Sequence, residues 1–215
     1  MKTKRIKSLI FGISGQDGSY LSHFLINKKH HVYGTTRNSK KSNLRNLSKL
    51  AILHKVKIIK CNISNFTAVN NLIKKIKPNE IYYLCGQSSV TKSYIYPGES
   101  FKSNTLSLLN VLEIVKKTNK KIKIFNAVSG QFYGNRKNNV YNEKSYIDPQ
   151  SPYGVSKASS YWLTKIFREW YGVKCCSGIL FNHESPLRSN EFVTKKIVNQ
   201  CKLIKKGKLK YLYLG

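Results

Sequence analysis

A chain of 215 residues is long enough for one good-sized domain or two small ones. Its 39 Lys and Arg outweigh 9 Asp and Glu, a formal net charge of +30, but only 22% of residues are charged, so the imbalance is a shortage of acids. With 40% hydrophobic residues global disorder is excluded, and no apolar run approaches the ~18 residues of a membrane span.

The chain opens on a basic head, MKTKRIK, and the apolar run behind it is too short for a signal peptide. Residues 8–13 form the first predicted strand. It leads into a turn of three glycines, Gly12, Gly15 and Gly18, and then a helix over 18–27 with Tyr20, Leu21, Phe24 and Leu25 on one face. Further strands are predicted over 31–36 and 56–61, followed by a helix over 66–76 whose Val69, Leu72, Ile73 and Ile76 share a face. A fourth strand covers 81–85, a Leu-rich helix 103–115, and a fifth strand 122–127. The polar stretch 135–151, with Pro149 and the following Pro152, reads as a flexible crossing. Beyond it come a helix over 153–170 and a sixth strand over 176–181. Residues 191–208 read as an amphipathic helix with Phe192, Val193, Ile197, Cys201 and Ile204 apolar, and 211–214 as a buried strand cut short. Strands alternating with helices over short connections imply an α/β fold, a doubly wound parallel sheet (Rossmann-like) covered on both faces.

Five cysteines, Cys61, Cys85, Cys175, Cys176 and Cys201, are odd in number and lack metal-ligand spacing. They read as reduced, mostly buried thiols of a cytosolic protein that binds no metal. His30, His31 and His54 read as surface residues. The lysines are scattered from Lys2 to Lys210 without an RNA-binding or zinc pattern. The charge therefore reads as a bias spread over the surface, favouring small anionic ligands such as nucleotides rather than nucleic acid.

The segment Gly12-Ile13-Ser14-Gly15-Gln16-Asp17-Gly18 stands between a strand and a helix, the context of a dinucleotide site. There glycines let the backbone approach a pyrophosphate, and the helix N-terminus offers free N–H groups. Its G-x-x-G-x-x-G spacing also suits a plain glycine-rich helix entry. At the end of the second strand an NAD site wants an acid for the ribose 2′-hydroxyl. The chain instead has Arg37, which can pair with the 2′-phosphate of NADP or be one more exposed cation. Near mid-chain, Tyr153 and Lys157 in SPYGVSK stand four apart and so share a helix face. A phenol near pKa ~10 is a poor base at neutral pH, and an ammonium one turn away stabilises its phenolate. Ser129 ends the fifth strand, at the carboxyl edge where open α/β sheets bind ligands.

From residue 8 to its end the chain resembles the extended short-chain dehydrogenase/reductase family and, within it, the GDP-mannose 4,6-dehydratases. The motifs that carry the resemblance are GISGQDGSYL, the pair Gln87-Ser88, SPYGVSK, and the long segment GILFNHESPLRSNEFVTKKI over 178–197. The resemblance implies Tyr153 and Lys157 as the catalytic pair, with Ser129 in place of the family's usual Thr. It implies NADP contacts from Gly12, Ser14, Gly15, Gln16, Asp17, Gly18, Arg37, Asn62, Ile63, Leu84, Gln87, Ser88, Lys157, His183 and Arg188. Ser88, Asn182 and Lys196 would lie toward GDP-mannose or a related nucleotide sugar. Residues 1–182 would be the NADP-binding domain and 183–215 the start of an incomplete substrate lobe, in a cytoplasmic homo-oligomer without nucleic-acid or membrane partners.

In the family mechanism the tyrosine deprotonates the C4 hydroxyl as hydride passes to NADP. A carboxylate then removes the C5 proton as water leaves C6, and the hydride returns to C6. Three departures bear on it. The carboxylate's position, two residues after Ser129, is Gln131, and a carboxamide is no base at neutral pH. The acid that usually holds the adenine is Asn62. The chain also stops where family members continue, which leaves the apolar side of 191–208 and the end strand expecting a covering. The implied activity is a shortened dehydratase with an altered base. The alternatives are a nucleotide-sugar reductase or epimerase, which needs only Ser129, Tyr153 and Lys157, and a non-catalytic binding remnant.

Overall fold

The computed structural model describes residues 5–40, 44–135 and 140–214. The start of the basic head, residue 215 and the stretch 136–139 of the predicted crossing fall outside these. Among the described residues six strands form one parallel sheet: β1 (Lys7–Phe11), β2 (His31–Thr36), β3 (Lys57–Lys60), β4 (Glu80–Tyr83), β5 (Lys123–Ser129) and β6 (Cys175–Leu180). Their order is β3-β2-β1-β4-β5-β6, the doubly wound Rossmann arrangement, with the chain reversing its direction of travel between β1 and β4. Register pairs Leu9 with Tyr33 on one side and with Ile81 on the other.

The helices are α1 (Gln16–Asn27), α2 (Arg45–Lys49), α3 (Phe66–Ile76), α4 (Val90–Ile95), α5 (Pro97–Phe101), α6 (Ser107–Thr118), α7 (Pro152–Glu169) and α8 (Val193–Lys205), with one π turn over Lys102–Leu106 leading into α6. Side chains alternate along a strand, so β1 feeds two cores. Leu9 and Phe11 pack with Ile81, Ile124, Leu72 and Leu112 on one face. Ile10 packs with Val32, Leu25 and Leu47 on the other. Both faces are therefore buried, which is why the strands read as continuous apolar runs.

Several expectations are corrected. In α1 the buried positions are Gly18, Ser19, Ser22 and Leu25, while Tyr20 and Phe24 are exposed. Close approach to the glycine turn selects small residues there over the aromatic face. The described part of the 135–151 crossing is folded back on the body. Tyr141 stacks on Tyr133 at 4.9 Å, and the Tyr133 hydroxyl donates to Asn142 O at 2.7 Å. Cys61 and Cys175 are buried, but Cys176 and Cys201 are exposed, because alternate positions of β6 face opposite ways and α8 buries no residue. His30 is not a simple surface residue: its Nδ1 meets Ser8 Oγ at 2.9 Å and Glu80 at 3.8 Å.

The chain divides into two units, Met1–Phe181 and Asn182–Gly215. In the second, residues 211–214 are exposed and belong to no strand, where a buried strand was expected. The Gln200 carboxamide takes both the N–H and the C=O of Tyr213, at 2.6 and 2.5 Å, occupying the groups a strand partner would use. In the first unit the outer side of α7 carries an apolar stripe of Val155, Trp162, Ile166 and Trp170, all exposed. No described helix is long and apolar enough to cross a membrane.

Candidate active site

The carboxyl ends of β1, β2, β4 and β5 bring most of the predicted residues to one edge of the sheet. After β1 the chain turns at Gly12, whose φ of +90° suits glycine, and Gly15 N–H donates to Gly12 O at 3.1 Å. A Cβ on Gly18 would stand 2.3 Å from that same oxygen, so the start of α1 is drawn tightly against the turn. Ser19 Oγ donates to Ile13 O, and Asn46 Nδ2 of α2 reaches Ser14 O. Gln16 donates its side-chain amide to Asp17. The result is a backbone cradle at a helix N-terminus, which fits a dinucleotide pyrophosphate on geometry and dipole alike.

Beside it, Arg37 follows β2 with an exposed side chain, and its Nη1 lies 3.9 Å from Glu99 of α5. After β3, Asn62 uses its Oδ1 to accept the Ser64 N–H, with Ile63 buried next to it. After β4, Leu84 N–H donates to Phe11 O, continuing the sheet for one bond. The Gln87 side chain is folded onto Ser89, donating to its carbonyl and accepting its N–H, and Ser88 is exposed.

α7 begins with an N-cap: Ser151 Oγ accepts Gly154 N–H, and Pro152 fills the first turn. This places Tyr153 and Lys157 on the side facing β5, where both are buried. Lys157 Nζ donates to Ala127 O at 2.9 Å and lies 5.8 Å from the centre of the Tyr153 ring. Burial pushes the Lys157 ammonium down to about 8. Cys85 is within electrostatic reach of it, and burial pushes that thiol up to about 12, so it stays neutral. Two residues past Ala127, Ser129 Oγ accepts Gln131 N–H and caps a short turn, Gly130–Tyr133. A Cβ on Gly154 would stand 2.9 Å from Gln131 O, so this turn abuts the start of α7. Ser129, Gln131, Tyr153 and Lys157 thus share one corner of the edge, with the Gln131 side chain exposed.

The remaining predicted residues belong to the second unit. Arg188 is held there by Glu184 at 3.4 Å and lies 3.5 Å from the Phe192 ring centre. Asn182 and His183 are exposed, and Lys196 is half-buried on α8.

Residues 9–215 match the family profile described as GDP-mannose 4,6 dehydratase. The chain belongs to the GDP-mannose 4,6-dehydratase family. It is 36% identical to GDP-mannose 4,6 dehydratase 1 of Arabidopsis thaliana, over 100% of this chain and 62% of that protein. It is 38% identical to the GDP-mannose 4,6-dehydratase of Yersinia enterocolitica, over 97% of this chain and 58% of that one. The chain therefore spans about three-fifths of the curated relatives' length. Among solved structures, the Thermus thermophilus UDP-glucose 4-epimerase complex with NAD superposes with a TM-score of 0.81 at 21% identity, covering 94% of this chain and 63% of that one. A dTDP-glucose 4,6-dehydratase of Streptomyces venezuelae gives 0.80 at 17%, covering 92% and 62%. These two likenesses speak to the fold.

Within this family member, three residues that motif reading missed support the site. Asn104, on the π turn, donates to Gln87 O at 3.0 Å and to Ser156 Oγ at 3.1 Å. Its neighbour Thr105 donates to Ser156 O at 2.8 Å. Together they tie the loop after β4 to α7. The signal was visible as a polar SNT run opening a Leu-rich helix. Glu99 had no such signal, because only the fold brings it to Arg37.

Proposed function

We propose that this chain is the dinucleotide-binding portion of a GDP-mannose 4,6-dehydratase-type lyase that prefers NADP and is slowed by Gln131. The observation that carries the reading is the seating of Lys157 beneath β5 beside Tyr153, at the same sheet edge as the glycine cradle. Residues 12–18 would hold the pyrophosphate, Arg37 the 2′-phosphate, Asn62 and Ile63 the adenine side, and Leu84, Gln87, Ser88 and Lys157 the nicotinamide half. We extend this reading to His183 and Arg188 as further cofactor contacts, and to Asn182 and Lys196 as contacts to the nucleotide sugar. Free thiols, two of them exposed, suit a reducing compartment such as the cytoplasm.

When bound, the nicotinamide supplies reversible hydride transfer to and from the sugar. The protein's own part is proton handling and alignment. Tyr153 takes the proton of the sugar hydroxyl being oxidised, and Lys157, charged below about pH 8, favours the phenolate that does so. The Ser129 hydroxyl, oriented by its bond to Gln131 N–H, can hold the same sugar oxygen. By its match to the family's carboxylate position Gln131 would face the C5 proton, and a carboxamide cannot remove it. Because Ser129, Tyr153 and Lys157 suffice for oxidation and reduction at C4, this residue equally favours a reductase or epimerase reading.

One assay tests both. The chain and its Gln131→Glu variant, each joined to the part of a curated relative that this chain does not span, are incubated with GDP-mannose and NADP, and products are followed by mass. The reading expects little water loss from the native chain and a gain of about 10²–10⁴-fold in the variant. Brisk dehydration by the native chain, or no gain in the variant, overturns it. A C4 epimer without water loss favours the second reading.

A further inference from the structure

The opposite, N-terminal edge of the sheet holds a cavity of about 370 Å³ that the dehydratase reading does not use. Four cations line it, each from a different segment: Arg5 before β1, Lys29 in the turn after α1, Lys55 ahead of β3 and Lys57 on it. Ile26, His30 and the His31, Val32 and Tyr33 of β2 complete the wall, and among the described residues no carboxylate lines it. The nearby Glu80 faces the lining His30 at 3.8 Å and accepts from the Tyr82 hydroxyl at 3.0 Å and Ser8 Oγ at 3.4 Å. The cavity's own cations are therefore not neutralised from its walls.

A Lys-rich composition scatters charge over convex surface, where solvent and salt screen it. Charges of one sign converging on a concavity are different, because low-dielectric walls focus the field and concentrate counter-ions. One of the four is also restrained, since Lys57 Nζ sits 5.5 Å from the centre of the Tyr33 ring. The volume falls at the small end of ligand sites, about 300–1,000 Å³. We propose that this cavity binds a small oligophosphate, a chain of two or three phosphoryl groups, inorganic or carrying a ring that packs beside Tyr33. The cavity takes the first three residues of β2, and the last three, at roughly 3.3 Å each, lie between it and the glycine cradle, so the site draws on none of the proposed lyase residues.

The test is calorimetric titration of the full chain with inorganic tripolyphosphate, at about 0.15 M salt where diffuse charge is screened. Binding is expected, weakened at least about tenfold in K55Q/K57Q. A control, K120Q/K121Q, removes the same charge from an exposed turn after α6 and is expected to leave affinity within about twofold. Lys29→Asn, at a left-handed position (φ 62°) that asparagine tolerates, gives a second, independent loss on the other wall. No binding, or equal losses in both double variants, overturns the proposal. Adenosine triphosphate is the second arm, read as the affinity that K55Q/K57Q removes. A value above that for tripolyphosphate identifies a nucleotide as the ligand, and an equal value identifies the phosphate chain alone.

Discussion

Arg37 shares its position with a carboxylate, and that decides how strongly it can select a cofactor. The Glu99 partner is 3.9 Å away, and both side chains are largely exposed, so the pair itself is worth little. A 2′-phosphate arriving there meets the cation and the acid together. Arg37→Ala is expected to weaken NADP(H) about tenfold while leaving NAD(H) unchanged, and Glu99→Gln to tighten NADP(H); parallel titrations check both. A chain that binds NAD(H) more tightly from the start would reject the NADP assignment. Lys157 supplies a second test at this scale. Its folded value of about 8 lies below the free-lysine 10.5, so between these pH values the unfolded chain binds more protons and native stability rises with pH. Below about 8 the fold carries a buried charge, partly offset by the bond to Ala127 O. Lys157→Met is expected to be more stable at pH 7 by about 1–2 kcal/mol, to lose that advantage by about pH 10.5, and to abolish turnover. Denaturant melts across pH check the stability half. Tyr153 and Lys157 were legible in sequence because a spacing of four puts them on one helix face, and Ser129 because it ends an apolar strand. Glu99 was not, since its approach to Arg37 depends on how far α5 projects from the sheet edge.

At the scale of elements, the tight docking of α1 against the glycine turn makes an unusual claim on Gly18. Alanine in a helix normally stabilises by about 1 kcal/mol over glycine. Here its Cβ would stand 2.3 Å from a backbone oxygen and 2.8 Å from Ile13 Cα, and neither can move without opening the cradle. Gly18→Ala is therefore expected to destabilise by about 1–3 kcal/mol and to weaken dinucleotide binding, read by urea melts and by titration. The same packing explains what the pattern at 18–27 concealed. Hydrophobicity pointed to Tyr20 and Phe24, but a helix pressed onto a turn buries its small residues. β2 and α3, in contrast, have the bounds their patterns predict, because each lays a full apolar period against a core. α2, α4 and α5 run only five or six residues, too short for any period to register, and of the three only α4 has a side-chain cap, from Ser89.

For the whole molecule, charge and apolar surface pull in opposite directions. A net charge of +30 keeps copies apart at low ionic strength, and that repulsion fades above about 0.1 M salt, where the Debye length is about 10 Å. The stripe Val155, Trp162, Ile166 and Trp170 on α7 then gains most from being covered. Sedimentation across a salt series is expected to show association at high salt, lost in Trp162→Gln/Trp170→Gln; a monomer throughout would make the stripe an ordinary surface. The end of the chain, expected as a sheet edge, plays no such part, because Gln200 already occupies the backbone of Tyr213. The α7 stripe has an optical consequence as well. Both tryptophans of the protein lie on it, 46% and 81% exposed. Indole emission is thus already red in the native state and changes little in colour on unfolding, while a shift to the blue reports that something apolar has come to lie over α7.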